Sequence, residues 1–125
     1  MAYILLVEDT QDNRAIAELI LRDAGHTVFS VADGESSMAA AAALHPDVIL
    51  MDLALPFVDG WEATRRLKAD PATRDIPVVA FTAHVLQEDA DRAREAGCVA
   101  VIAKPFEINT LLNQIDALVE QQRSV

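Results

Sequence analysis

The chain has 125 residues, 52% of them hydrophobic, which is close to the commonest domain size and too apolar for wholesale disorder. Ten basic residues against twenty acidic ones leave a formal net charge of −10, which opposes binding to nucleic-acid phosphates and suits partners that bring metal ions or basic surfaces. No run approaches the roughly 18 apolar residues of a membrane span, no basic region precedes the first strand, and the single cysteine, Cys98, permits no internal disulfide. One domain over residues 1–125, cytoplasmic and without membrane insertion, is the expectation.

Tyr3 to Val7 is an apolar run of strand length, closed by Glu8-Asp9-Thr10, of which Asp9 or Thr10 can cap the next helix. Ile16, Leu19 and Ile20 follow helical spacing, and Gly25 suits the position just past that helix. Thr27 to Val31 predicts a second strand, and Asp33 caps an alanine-rich helix that ends before Pro46. Val48-Ile49-Leu50-Met51 then runs without polar alternation into Asp52. A continuous apolar run of this length, bracketed by Pro46 and Pro56, predicts a strand covered on both faces.

Trp61 to Ala69 predicts a third helix, stopped by Asp70-Pro71. Ile76 to Thr82 is a strand ending in a hydroxyl, and Gln87 to Ala96 a charged, alanine-rich helix closed by Gly97. Val99 to Ala103 predicts a fifth strand, running into Lys104-Pro105. Ile108, Leu111, Leu112, Ile115, Leu118 and Val119 make a clean helical stripe. Strands alternating with helices through short connections require right-handed crossovers, and so predict an α/β doubly wound sandwich around a parallel sheet.

Parallel strands bring their carboxyl ends to one edge, where such folds bind ligands. Here that edge receives Glu8 and Asp9, Asp52, Thr82 and Lys104. Clustered carboxylates repel one another and favour a cation, and hard oxygen donors suit Mg²⁺. A lysine and a hydroxyl opposite would hold phosphoryl oxygens, and aspartate is a competent nucleophile. The set reads as Mg²⁺-assisted phosphoryl transfer onto Asp52. Each residue also has an ordinary reading: Glu8 or Asp9 as a helix cap, Thr82 as a β-branched strand residue, Lys104 as a solvated charge. Lysine is scarce, however, since eight of ten basic residues are Arg and only Lys68 and Lys104 are Lys.

Glu8-Asp9, Met51-Asp52, Pro56 with Asp59-Gly60, Thr82-Ala83 and Lys104-Pro105-Phe106 together resemble the receiver domain of bacterial response regulators, in order and spacing over nearly the whole chain. The resemblance is to the stand-alone, single-domain type, since only five residues follow the last helix; a piece of a hybrid kinase is the alternative. It implies a flavodoxin-like (βα)5 fold, strand order 2-1-3-4-5, with Asp52 as phosphoacceptor. It also implies Mg²⁺ on Asp9, Asp52 and the Ala54 backbone carbonyl, with Glu8 assisting through water. Thr82 and Lys104 would meet the phosphoryl oxygens, and the bond before Pro105 would be cis.

The implied function is a phosphorylation-activated switch of two-component signalling. It would be charged by a histidine kinase or a histidine phosphotransfer protein and act on a downstream protein by contact. It would catalyse only its own phosphorylation and dephosphorylation, and its oligomeric state stays open. Two rivals stand beside this reading. One is a pseudo-receiver that binds without phosphorylation. The other is a Mg²⁺-dependent phosphatase, which normally carries a second acid where this chain has Ala54.

His84 falls beside the phosphoryl site in the resemblance, as a loop residue or an influence on water access. Cys98 and Trp61 read as packing. One position departs from the family pattern: Val101 stands where an aromatic usually precedes the lysine by three residues. A muted or differently routed switch is the expectation there.

Overall fold

The computed structural model describes residues 2–55, 58–82, 87–103 and 108–123. Strands and helices alternate as β1 (Tyr3–Val7), α1 (Gln11–Asp23), β2 (Thr27–Val31), α2 (Gly34–Leu44) and β3 (Val48–Asp52). They continue as α3 (Gly60–Ala69), β4 (Val78–Thr82), α4 (Gln87–Ala96), β5 (Ala100–Ala103) and α5 (Ile108–Arg123). The strands form one parallel sheet in the order β2-β1-β3-β4-β5. The flavodoxin-like arrangement expected from the sequence is the one observed.

The side-chain period of two explains why the apolar runs became strands between two layers. Ile4, Leu6, Val48, Leu50, Val79, Phe81 and Ile102 point to one face, where they meet Ala17 and Leu21 of α1 and Leu111, Ile115 and Val119 of α5. Leu5, Val7, Ile49, Met51, Val78 and Ala80 point to the other, against Ala41 of α2, Ala63 and Leu67 of α3, and Ala93 of α4. Every residue of β3 is buried. A large aliphatic side chain buried this fully contributes roughly 1.5–3 kcal/mol, so β3 is the firmest support the sheet offers to its own end.

Helix ends follow local chemistry. Asp33 accepts the Ser36 N–H at 2.7 Å and Asp59 the Glu62 N–H at 2.9 Å, capping α2 and α3. Gly25 and Gly97 take φ of +94° and +114°, the left-handed turns that end α1 and α4. Two expectations shift. Thr10 is the N-cap of α1 by position, but its side chain makes no capping bond. Strand β5 begins at Ala100, since Val99 is 52% exposed and only its N–H reaches the sheet, at the Val78 carbonyl.

A third difference concerns α1. Ile16 and Leu19, read as its apolar stripe, are 57% and 72% exposed, while Ala17 and Leu21 face the sheet. Two apolar stripes lie side by side on this helix. The one with a small alanine is the one that lets α1 sit close.

Candidate functional site

Order β2-β1-β3 means that the connections leaving β1 and β3 depart in opposite directions, which makes the carboxyl ends of these neighbours a topological switch point. Val7 pairs with Met51 in register, so Glu8 and Asp9 emerge beside Asp52. One oxygen from each of Glu8, Asp9 and Asp52 falls within 4.8 Å of the others. Glu8 is 1% exposed and Asp52 3%, whereas Asp9 is open to solvent. Two buried carboxylates and one exposed one thus come within ligand reach of a common point.

Backbone groups aim these acids. The Asp52 carboxylate accepts the Ala54 N–H at 3.0 Å, which turns it back over the strand end. Glu8 Oε1 accepts the Thr10 N–H at 3.2 Å, and the Glu8 N–H continues the sheet by donating to the Val31 carbonyl at 3.1 Å. Glu8, and not Thr10, therefore satisfies an amide at the start of α1, so the capping and ligand readings of Glu8 are not exclusive. Below the acids, the Leu53 N–H donates to the Phe81 carbonyl at 3.2 Å, tying the end of β3 to β4.

The donor set fits a hard divalent cation: three carboxylates in ligand reach, one of them exposed to solvent, no thiol or imidazole among the described ligands. Of the remaining expected site residues, Thr82 ends β4, with its backbone opposite Ala103 in the β4–β5 ladder. The Thr82 side chain lies outside the described residues, as do Pro56, Ala83, His84, Lys104, Pro105 and Phe106. Lys104 directly follows the last residue of β5 in sequence. Ala54 is exposed, next to the carboxylate it helps to orient.

One residue of the site was not singled out from sequence. Arg14 reaches back from α1 and donates to the Glu8 carbonyl at 3.1 Å, placing a cation beside the acids. A lone arginine one turn into the helix that follows the acids was the available signal. Gly60, part of the Asp59-Gly60 motif, has a packing reason as well: a Cβ there would stand 2.4 Å from the Asp52 carbonyl oxygen and 2.6 Å from Leu53 Cα. Only glycine lets α3 start this close to the end of β3.

Comparison with known proteins bears on the same site. Residues 4–116 match the family model described as the response regulator receiver domain. The polar-differentiation response regulator DivK of Brucella ovis is 36% identical over 112 residues, covering 90% of this chain and 91% of that protein. Among solved structures, the receiver domain of a sensor histidine kinase from Pseudomonas aeruginosa superposes with a TM-score of 0.89 at 38% identity, covering 95% of this chain and 98% of that one. That structure holds a magnesium ion coordinated in its active-site cleft. The Vibrio cholerae chemotaxis protein CheY4 superposes with a TM-score of 0.88 at 28% identity, covering 94% and 98%.

Proposed function

The chain belongs to the receiver domains of two-component response regulators, and from that premise we propose that it is a phosphorylation switch with Asp52 as the acceptor. The observation that carries this reading is the gathering of Glu8, Asp9 and Asp52 within 4.8 Å at the switch point. A Mg²⁺ ion there, on Asp9, Asp52 and the Ala54 carbonyl with Glu8 holding a water, would offset negative charge on the transferred group.

An Asp52 carboxylate oxygen attacks phosphorus, an oxygen–phosphorus bond forms, and the bond from phosphorus to the donor's imidazole nitrogen breaks. The donor histidine, protonated on its other ring nitrogen, leaves as neutral imidazole. The Ala54 N–H holds the carboxylate in its attacking pose by occupying Oδ1. Thr82, the last residue of β4, and Lys104, which follows β5 in sequence, would take the remaining phosphoryl oxygens. The charge added at the strand end then shifts the population of an output-competent surface. The protein is in this reading a switch and a carrier, with no separate substrate to turn over.

The donor is a histidine kinase or a histidine phosphotransfer protein. Ile16 and Leu19 stand exposed on α1, the helix that begins at the acids, and exposed large apolar side chains mark contact surfaces. Leu19→Glu is expected to slow transfer from a phosphohistidine protein while leaving labelling by acetyl phosphate unchanged.

Intact mass after incubation with acetyl phosphate and Mg²⁺ tests the central step. One added phosphoryl group, absent from Asp52→Asn and from a chelator-treated sample, is the expected result. No adduct, together with no response to beryllofluoride, would leave a binding module that keeps the fold without the chemistry.

A further inference from the structure

The first turn of α3 is seated on the acceptor strand. Besides the contact that excludes a side chain at position 60, the Gly60 N–H donates to the Leu53 carbonyl at 3.1 Å. The next residue, Trp61, is half-buried and packs against the apolar cluster beneath α2, α3 and α4. From the neighbouring helix α4, Arg92 lays its guanidinium carbon 4.0 Å from the centre of the Trp61 ring. The indole Nε1 is enclosed without a hydrogen-bond partner among the described residues. Stacking and packing, not a polar anchor, therefore set the ring's position.

Among the described side chains of α4 only Ala93 and Ala96 are buried, and alanine offers little apolar area. An element with few buried apolar contacts is one that shifts at low cost. Three facts thus line up: a strand end that changes charge, a helix start packed closely onto it, and a cation–aromatic contact joining that start to a helix whose described buried side chains are alanines.

We propose that the Trp61–Arg92 contact couples the state of Asp52 to the position of α4, rather than merely packing two helices together. The inference rests on the reading of Asp52 as phosphoacceptor. A shift of the Leu53–Gly60 backbone carries the ring with it. The Arg92 side chain then either follows, moving α4, or loses the ring. A contact made in only one of two states biases the equilibrium between them, and the bias is reciprocal. Loss of an exposed cation–π contact is worth about two- to five-fold in such an equilibrium.

The test uses the full chain with Mg²⁺ and beryllofluoride as wild type, Arg92→Gln and Arg92→Lys. It reads hydrogen exchange over α4, emission of Trp61, the sole tryptophan, and affinity for the mimic. Acetyl phosphate labelling by mass is run in parallel. Arg92 is exposed, so both variants are expected to fold. The expected result is labelling of all three proteins, a change in α4 exchange in wild type that Arg92→Gln loses, and restoration by Arg92→Lys. Mimic affinity should differ by about two- to five-fold between wild type and Arg92→Gln. Normal labelling with an unaltered α4 response and affinity in Arg92→Gln would overturn the coupling and leave the phosphoacceptor reading standing. Absence of labelling in wild type would overturn that reading, and the coupling with it.

Discussion

The two ends of the sheet handle polar groups in opposite ways. At the amino end, polar groups meet their complements. Asp47 accepts the Tyr3 N–H at 2.8 Å and returns its own N–H to the Tyr3 carbonyl at 2.8 Å. Buried His26 accepts the Ala2 N–H at 3.0 Å, and the Thr27 N–H donates to the Ala2 carbonyl at 2.9 Å. At the carboxyl end, three groups of the same sign come within ligand reach of one another. The amino end is built as a joint, whereas the carboxyl end gathers like charges that a cation can offset. Residues that a fold would discard for stability alone are commonly ones kept for a site's chemistry.

Magnesium provides the strongest way to probe this contrast. A ligand that binds only the folded state stabilises it by about 2.7 kcal/mol at a hundred-fold excess over its Kd. The urea midpoint of the wild type is expected to rise with added Mg²⁺ and to fall back with chelator. Asp9→Asn and Asp52→Asn should lose most of that response. An unchanged midpoint in the wild type would mean that the carboxylates tolerate one another without a metal.

A substitution at the amino end should act with opposite sign and no metal dependence. Asp47→Ala strands the Tyr3 N–H at the start of β1, and leaving a part-buried donor unmet costs about 1–2 kcal/mol. The urea midpoint should drop with its slope unchanged, and by the same amount with or without Mg²⁺. In metal-free buffer, by contrast, Asp52→Asn should raise the midpoint. Neutralising one of three acids in ligand reach relieves repulsion on the order of 1 kcal/mol, given partial screening by solvent at exposed Asp9. A fall instead would show that the partners of the Asp52 carboxylate outweigh the repulsion.

Much of this contrast was legible from residue order. The unbroken run into Asp52, short and bracketed by prolines, favoured a strand covered on both faces over a buried helix, and parallel topology then brings Glu8, Asp9 and Asp52 to one edge. What stayed hidden depended on distances that no periodicity encodes. Spacing alone could not show that Ala17 and Leu21, and not Ile16 and Leu19, face the sheet, because both pairs satisfy a helical repeat. The scarcity of lysine drew attention to Lys104, but Lys68 turns out to be structural. Its Nζ donates to the Ile76 carbonyl at 2.6 Å and the Arg74 carbonyl at 3.1 Å, tying α3 to the loop before β4. A Cβ at Gly97 would stand 2.6 Å from Lys68 Cγ, so the slim aliphatic stem runs through a gap that glycine leaves. The Cys98 thiol, read as packing, is buried and donates weakly to Thr64 Oγ1 at 3.7 Å, and burial pushes its pKa up, away from reactive thiolate.

The smallest effect should come from His26, and it sharpens the contrast because it gives the amino end a titratable weak point. Its Nδ1 accepts the Ala2 N–H, so the neutral ring carries its proton on Nε2, 3.6 Å from Asp116 Oδ1. Protonation would add a hydrogen at Nδ1 and break that bond, a loss of about 0.5–1 kcal/mol. Burial pushes the folded-state pKa below the usual 6.5, and the largely exposed Asp116 only partly opposes it. In the window between the two values the unfolded chain binds more protons than the folded one, so stability rises with pH there. The contribution is complete above about pH 6.5 and is lost as pH falls through the folded value. Urea midpoints should therefore decline modestly between pH 7.5 and 5.5. His26→Gln should flatten that decline. If the slope survives the substitution, the proton is being taken up elsewhere, and the amino end is as insensitive to charge as its complementary pairing makes it look.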